Sequence, residues 1–289
     1  MTTKTDVLNR YLFDGMHVRG ELVQLNKTYQ DIVALHDYSQ GVSELLGELV
    51  AATCLLTATL KFEGEIAVQL QGDGPIGYLA VNGNHNQEMR AIARIAEDAT
   101  GSGLKELVGK GTMVITIRPD KGEPYQGVVA LEKDTLAGCL AHYFEVSEQI
   151  PTTIWLFVDE ENKQVAGSLI QLLPDGDDKD KQLSDYEHLC QITNTIKSEE
   201  IFTLNAEDLL YRLYHQEEVR LFDPQAVTYK CSCSEEKCLN AIAQVEASEL
   251  NSIIAEQGKV SMTCDYCRTT YDFDEKKLAL FLVEDESTH

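Results

Sequence analysis

Apolar residues crowd the stretch from Ser43 to Leu60, where Leu45, Leu46, Leu49, Ala52, Cys54, Leu55 and Leu56 surround the helical axis. A helix that is apolar on most faces must be buried, so this segment predicts a core helix. Downstream the period shortens to that of strands. EIAVQLQG, GYLAVNG, EMRAIARIA, TMVITIRP and PYQGVVALE all read as strands. Thr135 to Phe144 reads as a helix capped by Thr135, and TTIWLFVDE with QVAGSLIQLL as a hairpin turning at Glu160–Lys163. Upstream, Thr28 begins a short polar-capped helix through Ile32, Val33 and Leu35. Runs of strands with a few interposed helices predict an α+β fold with a mostly antiparallel sheet.

The pattern breaks after Leu173. Residues 174–182, PDGDDKDKQ, are charged and turn-rich, and mark the best domain boundary. Beyond it the chain reads as helical to Phe222. Ser184 and Glu187 suggest a capping box ahead of Leu189, Ile192 and Ile196, and Asn205 a cap ahead of Leu209, Leu210, Leu213 and Tyr214. Such short acidic helices with thin apolar stripes are marginal unless they dock on a neighbour. Pro224 closes this stretch. The expected organisation is an N-terminal α+β domain over 1–176, a helical linker over 177–230, and a small C-terminal domain over 231–289.

Charge narrows the function. Against 24 Lys and Arg stand 48 Asp and Glu, a formal net charge of −24. Such a surface repels phosphate backbones and anionic lipid, so neither nucleic acid nor membrane is an expected partner. The N-terminus has no secretory h-region, and no stretch is read as approaching the roughly 20 apolar residues of a membrane span. A cytoplasmic, reducing location is expected, where clustered cysteines serve as metal ligands or redox groups.

Gly72-Asp73-Gly74-Pro75-Ile76-Gly77 fits the dinucleotide fingerprint, but no helix starts within it. A glycine-rich turn between strands is expected instead. No acid–base or nucleophile constellation stands out. Cys54, Cys139 and Cys190 read as packed thiols, and His142 as a core or boundary residue. Cys231, Cys233, Cys264 and Cys267 are different. A C-x-C pair and a C-x-x-C pair supply four thiolates, the donor set of a tetrahedral zinc site. Each close pair can also close into a disulfide. Cys238 opens a helical run and is less well placed. Lys230, Lys237 and Arg268 flank the ligands and are expected to help keep the thiolates electron-rich. The segment from Cys231 to His289 has only 59 residues, a size that is marginal without a staple.

At these cysteines the chain resembles the thirty-three-kilodalton redox-regulated heat-shock chaperone family. The likeness rests on Lys230-Cys231-Ser232-Cys233-Ser234 and Cys264-Asp265-Tyr266-Cys267, with His17-Val18-Arg19-Gly20, the run Leu70 to Gly77, and Tyr143-Phe144 leading to Ser147-Glu148-Gln149-Ile150-Pro151. The resemblance implies a non-enzymatic, ATP-independent holdase, with zinc on Cys231, Cys233, Cys264 and Cys267 in an inactive reduced state. Oxidation would form the disulfides Cys231–Cys233 and Cys264–Cys267, release zinc and loosen the linker. It also implies a reduced monomer, an oxidised homodimer that holds unfolding clients, and ATP-dependent foldases downstream. Leu189, Ile192, Leu209, Leu210, Leu213, Tyr214, Leu221 and Phe222 are the candidate client contacts. Two other classes stay open: a zinc-ribbon nucleic-acid module, which the charge opposes, and a thiol-disulfide oxidoreductase, which needs C-x-x-C at a helix start.

Overall fold

A computed structural model describes residues 5–59, 63–96, 99–174, 178–279 and 281–282. The chain separates into two compact units, Met1–Lys230 and Cys231–His289. The first contains β1 (Val7–Phe13), β2 (Val18–Leu25), α1 (Lys27–Val33), α2 (Gln40–Thr59), β3 (Gly64–Gly72), β4 (Ile76–Asn84), β5 (Glu88–Ile95), α3 (Gly103–Val108), β6 (Gly111–Pro119), β7 (Tyr125–Ala130) and α4 (Leu136–Tyr143). After a π-helical turn at Phe144–Glu148 come β8 (Thr152–Asp159), β9 (Gln164–Leu172), α5 (Lys179–Thr193), α6 (Ser198–Thr203), α7 (Ala206–Tyr214), β10 (Val219–Leu221), β11 (Gln225–Ala226) and β12 (Thr228–Tyr229). The second unit holds α8 (Glu235–Ile242), α9 (Ala247–Gln257), β13 (Lys259–Thr263), β14 (Thr270–Asp274) and α10 (Glu275–Leu278).

The α+β expectation holds. One sheet runs β10-β1-β2-β9-β8, with β11 also on β1, and a second runs β12-β5-β4-β3-β6-β7. Every pairing is antiparallel except β12 on β5. Helix α2 contacts β2, β8 and β9 of one sheet and β3, β4 and β5 of the other. The expectation that no stretch approaches a membrane span is corrected here. Gln40–Thr59 is long and apolar enough by length and composition, yet 83% of that window is buried inside the protein. Its apolar faces meet two sheets, as a core helix requires. Thr53 and Thr57 satisfy their buried hydroxyls by donating to Leu49 O and Thr53 O, each at 2.7 Å.

The glycine-rich run from Gly72 to Gly77 is the turn from β3 into β4, with no helix. The backbone of Val108 comes so close that a Cβ on Gly72 would lie 2.0 Å from its carbonyl oxygen, so glycine is needed there for packing.

The outer face of the first sheet carries α5, α6 and α7. Tyr11, Phe13, Val18, Leu22, Ala166 and Ile170 of the sheet pack with Tyr186, Leu189, Ile201, Leu209, Leu210 and Tyr214 of the helices. Gln24 fastens this layer by donating from Nε2 to Ile201 O at 2.6 Å and Leu204 O at 2.8 Å. The single tryptophan, Trp155 on β8, donates from its indole to Asn194 Oδ1 at 2.7 Å, just past α5.

Two cap readings are corrected. Helix α5 starts at Lys179, where Asp178 accepts from Lys181 N, so Ser184 lies inside the helix. Helix α1 starts at Lys27. The carboxylate of Asp6 accepts from the N–H groups of Asn26, Lys27 and Thr28, so the cap comes from β1's approach and not from Thr28. Thr135 and Asn205 do cap α4 and α7, accepting from Gly138 N and Asp208 N. The boundary expected at 176/177 falls on residues outside those described.

Candidate metal centre

The second unit is built around one hairpin. Strands β13 and β14 pair in register from Lys259↔Asp274 to Thr263↔Thr270, which leaves residues 264–269 as the connecting loop. Cys264 and Cys267 sit in that loop. It is tightened by Cys264 N donating to Thr269 O and Arg268 N to Cys264 O, both at 2.9 Å, with Arg268 at φ 58°. A tight turn of this kind presents both sulfurs to one side, as the C-x-x-C spacing predicts. Cys231 and Cys233 arrive on an irregular segment that ends where Ser234 caps α8 by accepting from Lys237 N.

The four sulfurs converge, all within 4.8 Å of one another. Cys231 Sγ lies 3.7 Å from Cys264 Sγ, and Cys233 Sγ 3.4 Å from Cys267 Sγ. Ligands at about 2.3 Å from a tetrahedral ion stand about 3.8 Å apart along each edge. The sulfur spacing therefore fits one four-coordinate ion, held equally from both motifs.

The surroundings tune the sulfurs. Burial pushes the Cys233 and Cys264 thiols up. Burial also acts on Cys267, but hydrogen bonds from the hydroxyl and backbone of Thr269 and from the Cys233 and Cys231 thiols together outweigh it and bring that thiol down to about 6. Tyr271 Oη lies 3.2 Å from Cys233 Sγ. Thr269 and Tyr271 were not singled out from the sequence, although both follow directly on the C-x-x-C motif. Two of the flanking cations have partners of their own. Lys230 Nζ pairs with Glu88, and Lys237 Nζ donates to Ser232 O at 2.7 Å.

Cys238 stands apart. It is buried on α8 in a core of Cys238, Ile242, Leu250, Phe273 and Leu278. Among the described residues this unit has only those five buried side chains in its core, too few to hold 59 residues without a staple. Cys54 and Cys139 are buried, as expected, and Cys190 is half-buried with Sγ 3.5 Å from Thr153 Oγ1.

The family model for Hsp33 protein matches residues 6–274. The chain belongs to the Hsp33 family. A 33 kDa chaperonin from Colwellia psychrerythraea is 64% identical over 281 residues, covering 96% of this chain and 97% of that protein. A 33 kDa chaperonin from a Shewanella species is 56% identical over 273 residues, covering 93% of each. The Thermotoga maritima 33 kDa chaperonin, an Hsp33 homologue known from its crystal structure, superposes with a TM-score of 0.79 over 96% of this chain and 98% of its own at 24% identity. Membership of Hsp33 makes this chain one of a chaperone family, with four cysteines placed to hold a metal ion.

The candidate client contacts divide. Leu189, Leu209, Leu210 and Tyr214 are buried under the helical layer, and Ile192 and Leu213 pack partly buried against it. Leu221 and Phe222 are exposed at 38% and 41%. In this state, then, most of these side chains already have an occupant: the outer face of the first sheet.

Proposed function

We propose that the chain is a cytoplasmic, ATP-independent holdase switched by oxidation of its four-sulfur site. The observation that carries this reading is a four-thiol cluster in a unit with a very small core. Zinc on Cys231, Cys233, Cys264 and Cys267 suits an all-sulfur tetrahedral set, and structural zinc contributes on the order of 10–16 kcal/mol of apparent binding energy. Typical domain stability is only about 5–15 kcal/mol. The second unit accordingly folds with its metal and unfolds without it.

Oxidation removes the donor set. The thiolates of Cys231 with Cys233, and of Cys264 with Cys267, each lose two electrons as one S–S bond forms. Each disulfide consumes one hydrogen peroxide, which takes those two electrons and two protons from the solvent, breaks its O–O bond and leaves as two waters. A disulfide between i and i+2 closes a small strained ring, so reduction reverses it readily. With the metal gone and residues 231–289 unfolded, the helical segment 177–230 loses its anchor at Lys230. Leu189, Ile192, Leu209, Leu210, Leu213 and Tyr214 then leave the sheet and join Leu221 and Phe222 as apolar contacts for unfolding clients. Both faces of the break are sticky, which favours a homodimer in the active state. The charge of −24 keeps the loaded complex soluble and disfavours the nucleic-acid alternative. Clients held this way pass to ATP-dependent foldases after reduction. A holdase needs no catalytic constellation, in keeping with a non-enzyme.

The test couples two readouts. Zinc-loaded reduced protein is treated with peroxide at raised temperature, and zinc release is followed alongside suppression of client aggregation. Both should rise together and reverse with a dithiol reductant. Zinc release with no gain in holding would leave only a structural zinc unit.

A further inference from the structure

Two stretches that mark the family likeness, His17 to Gly20 and Tyr143 to Pro151, take no part in the sulfur site. In the fold they meet. Arg19, Tyr143, Phe144, Glu148 and Ile150 all line one cavity of about 590 Å³ in the first unit. That volume lies within the roughly 300–1,000 Å³ of ligand pockets. Leu56, Ile66, Ile115 and Ile117 give it apolar walls.

Its charged groups are arranged by element. Arg19 stands on β2, and its Nε and Nη2 donate to Gln171 Oε1 at 3.0 and 2.5 Å. It makes no ion pair among the described residues, and its Nη1 end makes no hydrogen bond among them. Two positions along the same face of β2, Glu21 is fully buried and its Oε2 has no partner among the described residues. Burial pushes that carboxyl up to about 7, against the pull of Arg19 and Arg10, so at neutral pH it offsets the guanidinium only in part. The opposite charge comes from the other sheet and the π-helical turn. Glu148 Oε1 accepts from Tyr143 Oη at 2.6 Å and Tyr125 Oη at 3.1 Å, and Glu123 lines the same cavity. Tyr143 is itself fixed over Gly127, where a Cβ would lie 2.7 Å from its hydroxyl. π-Helical turns are rare and often mark functional sites.

We propose that this cavity binds the carboxy-terminal tail of an unfolded polypeptide. The α-carboxylate pairs with Arg19, apolar side chains fill the space between Leu56 and Ile117, and backbone N–H groups of the tail face Glu123 and Glu148. A fatty acid shares the carboxylate but would press a bare hydrocarbon against those two glutamates, which the dipolar lining disfavours. The inference deepens the client-holding function and rests on it.

The experiment uses the full zinc-loaded chain, reduced and oxidised, and the peptide Gly-Leu-Ile-Val-Phe labelled with fluorescein at its N-terminus. The free acid should bind at least about tenfold more tightly than its C-terminal amide, the effect of one charge-assisted hydrogen-bonded pair. Arg19→Gln should erase that difference. Ile117→Trp, which fills the cavity away from the carboxylate, should weaken acid and amide alike, with thermal unfolding confirming that both variants fold. Equal affinity for acid and amide, no binding of either, or binding of laurate in place of the peptide would overturn the proposal. Holding activity is measured on the same samples. Oxidised protein that holds clients yet ignores the peptide refutes the cavity alone, whereas loss of both refutes the chaperone reading.

Discussion

Replacing Gln24 with leucine tests how the helical layer is fastened. The side chain is 7% exposed and its amide supplies donors to two carbonyls at the end of α6, Ile201 O and Leu204 O. Leucine preserves much of the volume but removes both donors. The buried acceptor Ile201 O left unpaired costs about 1–3 kcal/mol, and the part-buried Leu204 O adds less because water can reach it, so the layer should lose about 2 kcal/mol of docking free energy. Local opening of residues 178–214 should then rise roughly 30-fold, since each 1.4 kcal/mol is a factor of ten. Amide hydrogen exchange across α5, α6 and α7 reads this directly. Fluorescence reads it independently, because Trp155 loses its bond to Asn194 when α5 lifts. Reduced Gln24→Leu protein should also hold clients weakly without any oxidant. Unchanged exchange in these helices, combined with a loss of global stability, would refute the argument. It would place the role of Gln24 within the sheet instead.

Cys231→Ser or Cys264→Ser should drop zinc stoichiometry well below one per chain by atomic absorption, whereas Cys238→Ala should retain zinc and cost about 1 kcal/mol of packing in a thermal melt. Chelation of the reduced protein should abolish exchange protection in residues 231–279 and shift Trp155 emission to the red, because loss of the metal frees α5 and with it the bond from Trp155 to Asn194; an unchanged wavelength would refute the link between metal loss and release of the helical layer. Gly20→Ala should lower stability by about 1–3 kcal/mol in urea, since its Cβ would fall 2.1 Å from the ring of Tyr11. Burial raises Glu21 to about 7, above its unfolded value of 4.5, so its contribution is fully present below pH 4.5 and is lost as pH rises through 7. Glu21→Gln should therefore flatten stability between those values, with a gain of up to about 3 kcal/mol over the parent at pH 8.

Most of this was legible where one pattern had one cause. The strands from β3 to β9, the core helix and the four sulfurs follow from periodicity, apolar density and cysteine spacing. Strands β1 and β2 were not read as strands because both faces are covered. Val18 and Leu22 of β2 face the helical layer while Val23 and Leu25 face α2, so the alternation that signals a strand is lost. The caps of α1 and α5 were misplaced because the decisive carboxylates, Asp6 and Asp178, lie outside the local motif. Strands β10 to β12 are two or three residues long and exist only through partners far away in sequence. The cavity at Arg19 draws on β2, β6 and the turn after α4, which no linear pattern joins.

The last residues of the first unit are stitched to both sheets by three short ladders, β10 and β11 on β1 and β12 on β5, and by bonds between and beside them. Phe222 N donates to Arg10 O, Val227 N to Asp6 O, Thr228 N to Gln87 O and Lys230 N to Met89 O. The final pair, on β12, spans two residues and runs parallel to β5. A pull on Lys230 therefore loads these bonds one after another, as in peeling tape, and never all at once. The seam ends in a two-residue pairing and the Lys230–Glu88 ion pair, and leads back towards α7, where the buried Tyr214 meets Tyr11 and Phe13. Such a seam works like a ripcord: its direction of travel is fixed by the order in which the chain was laid down.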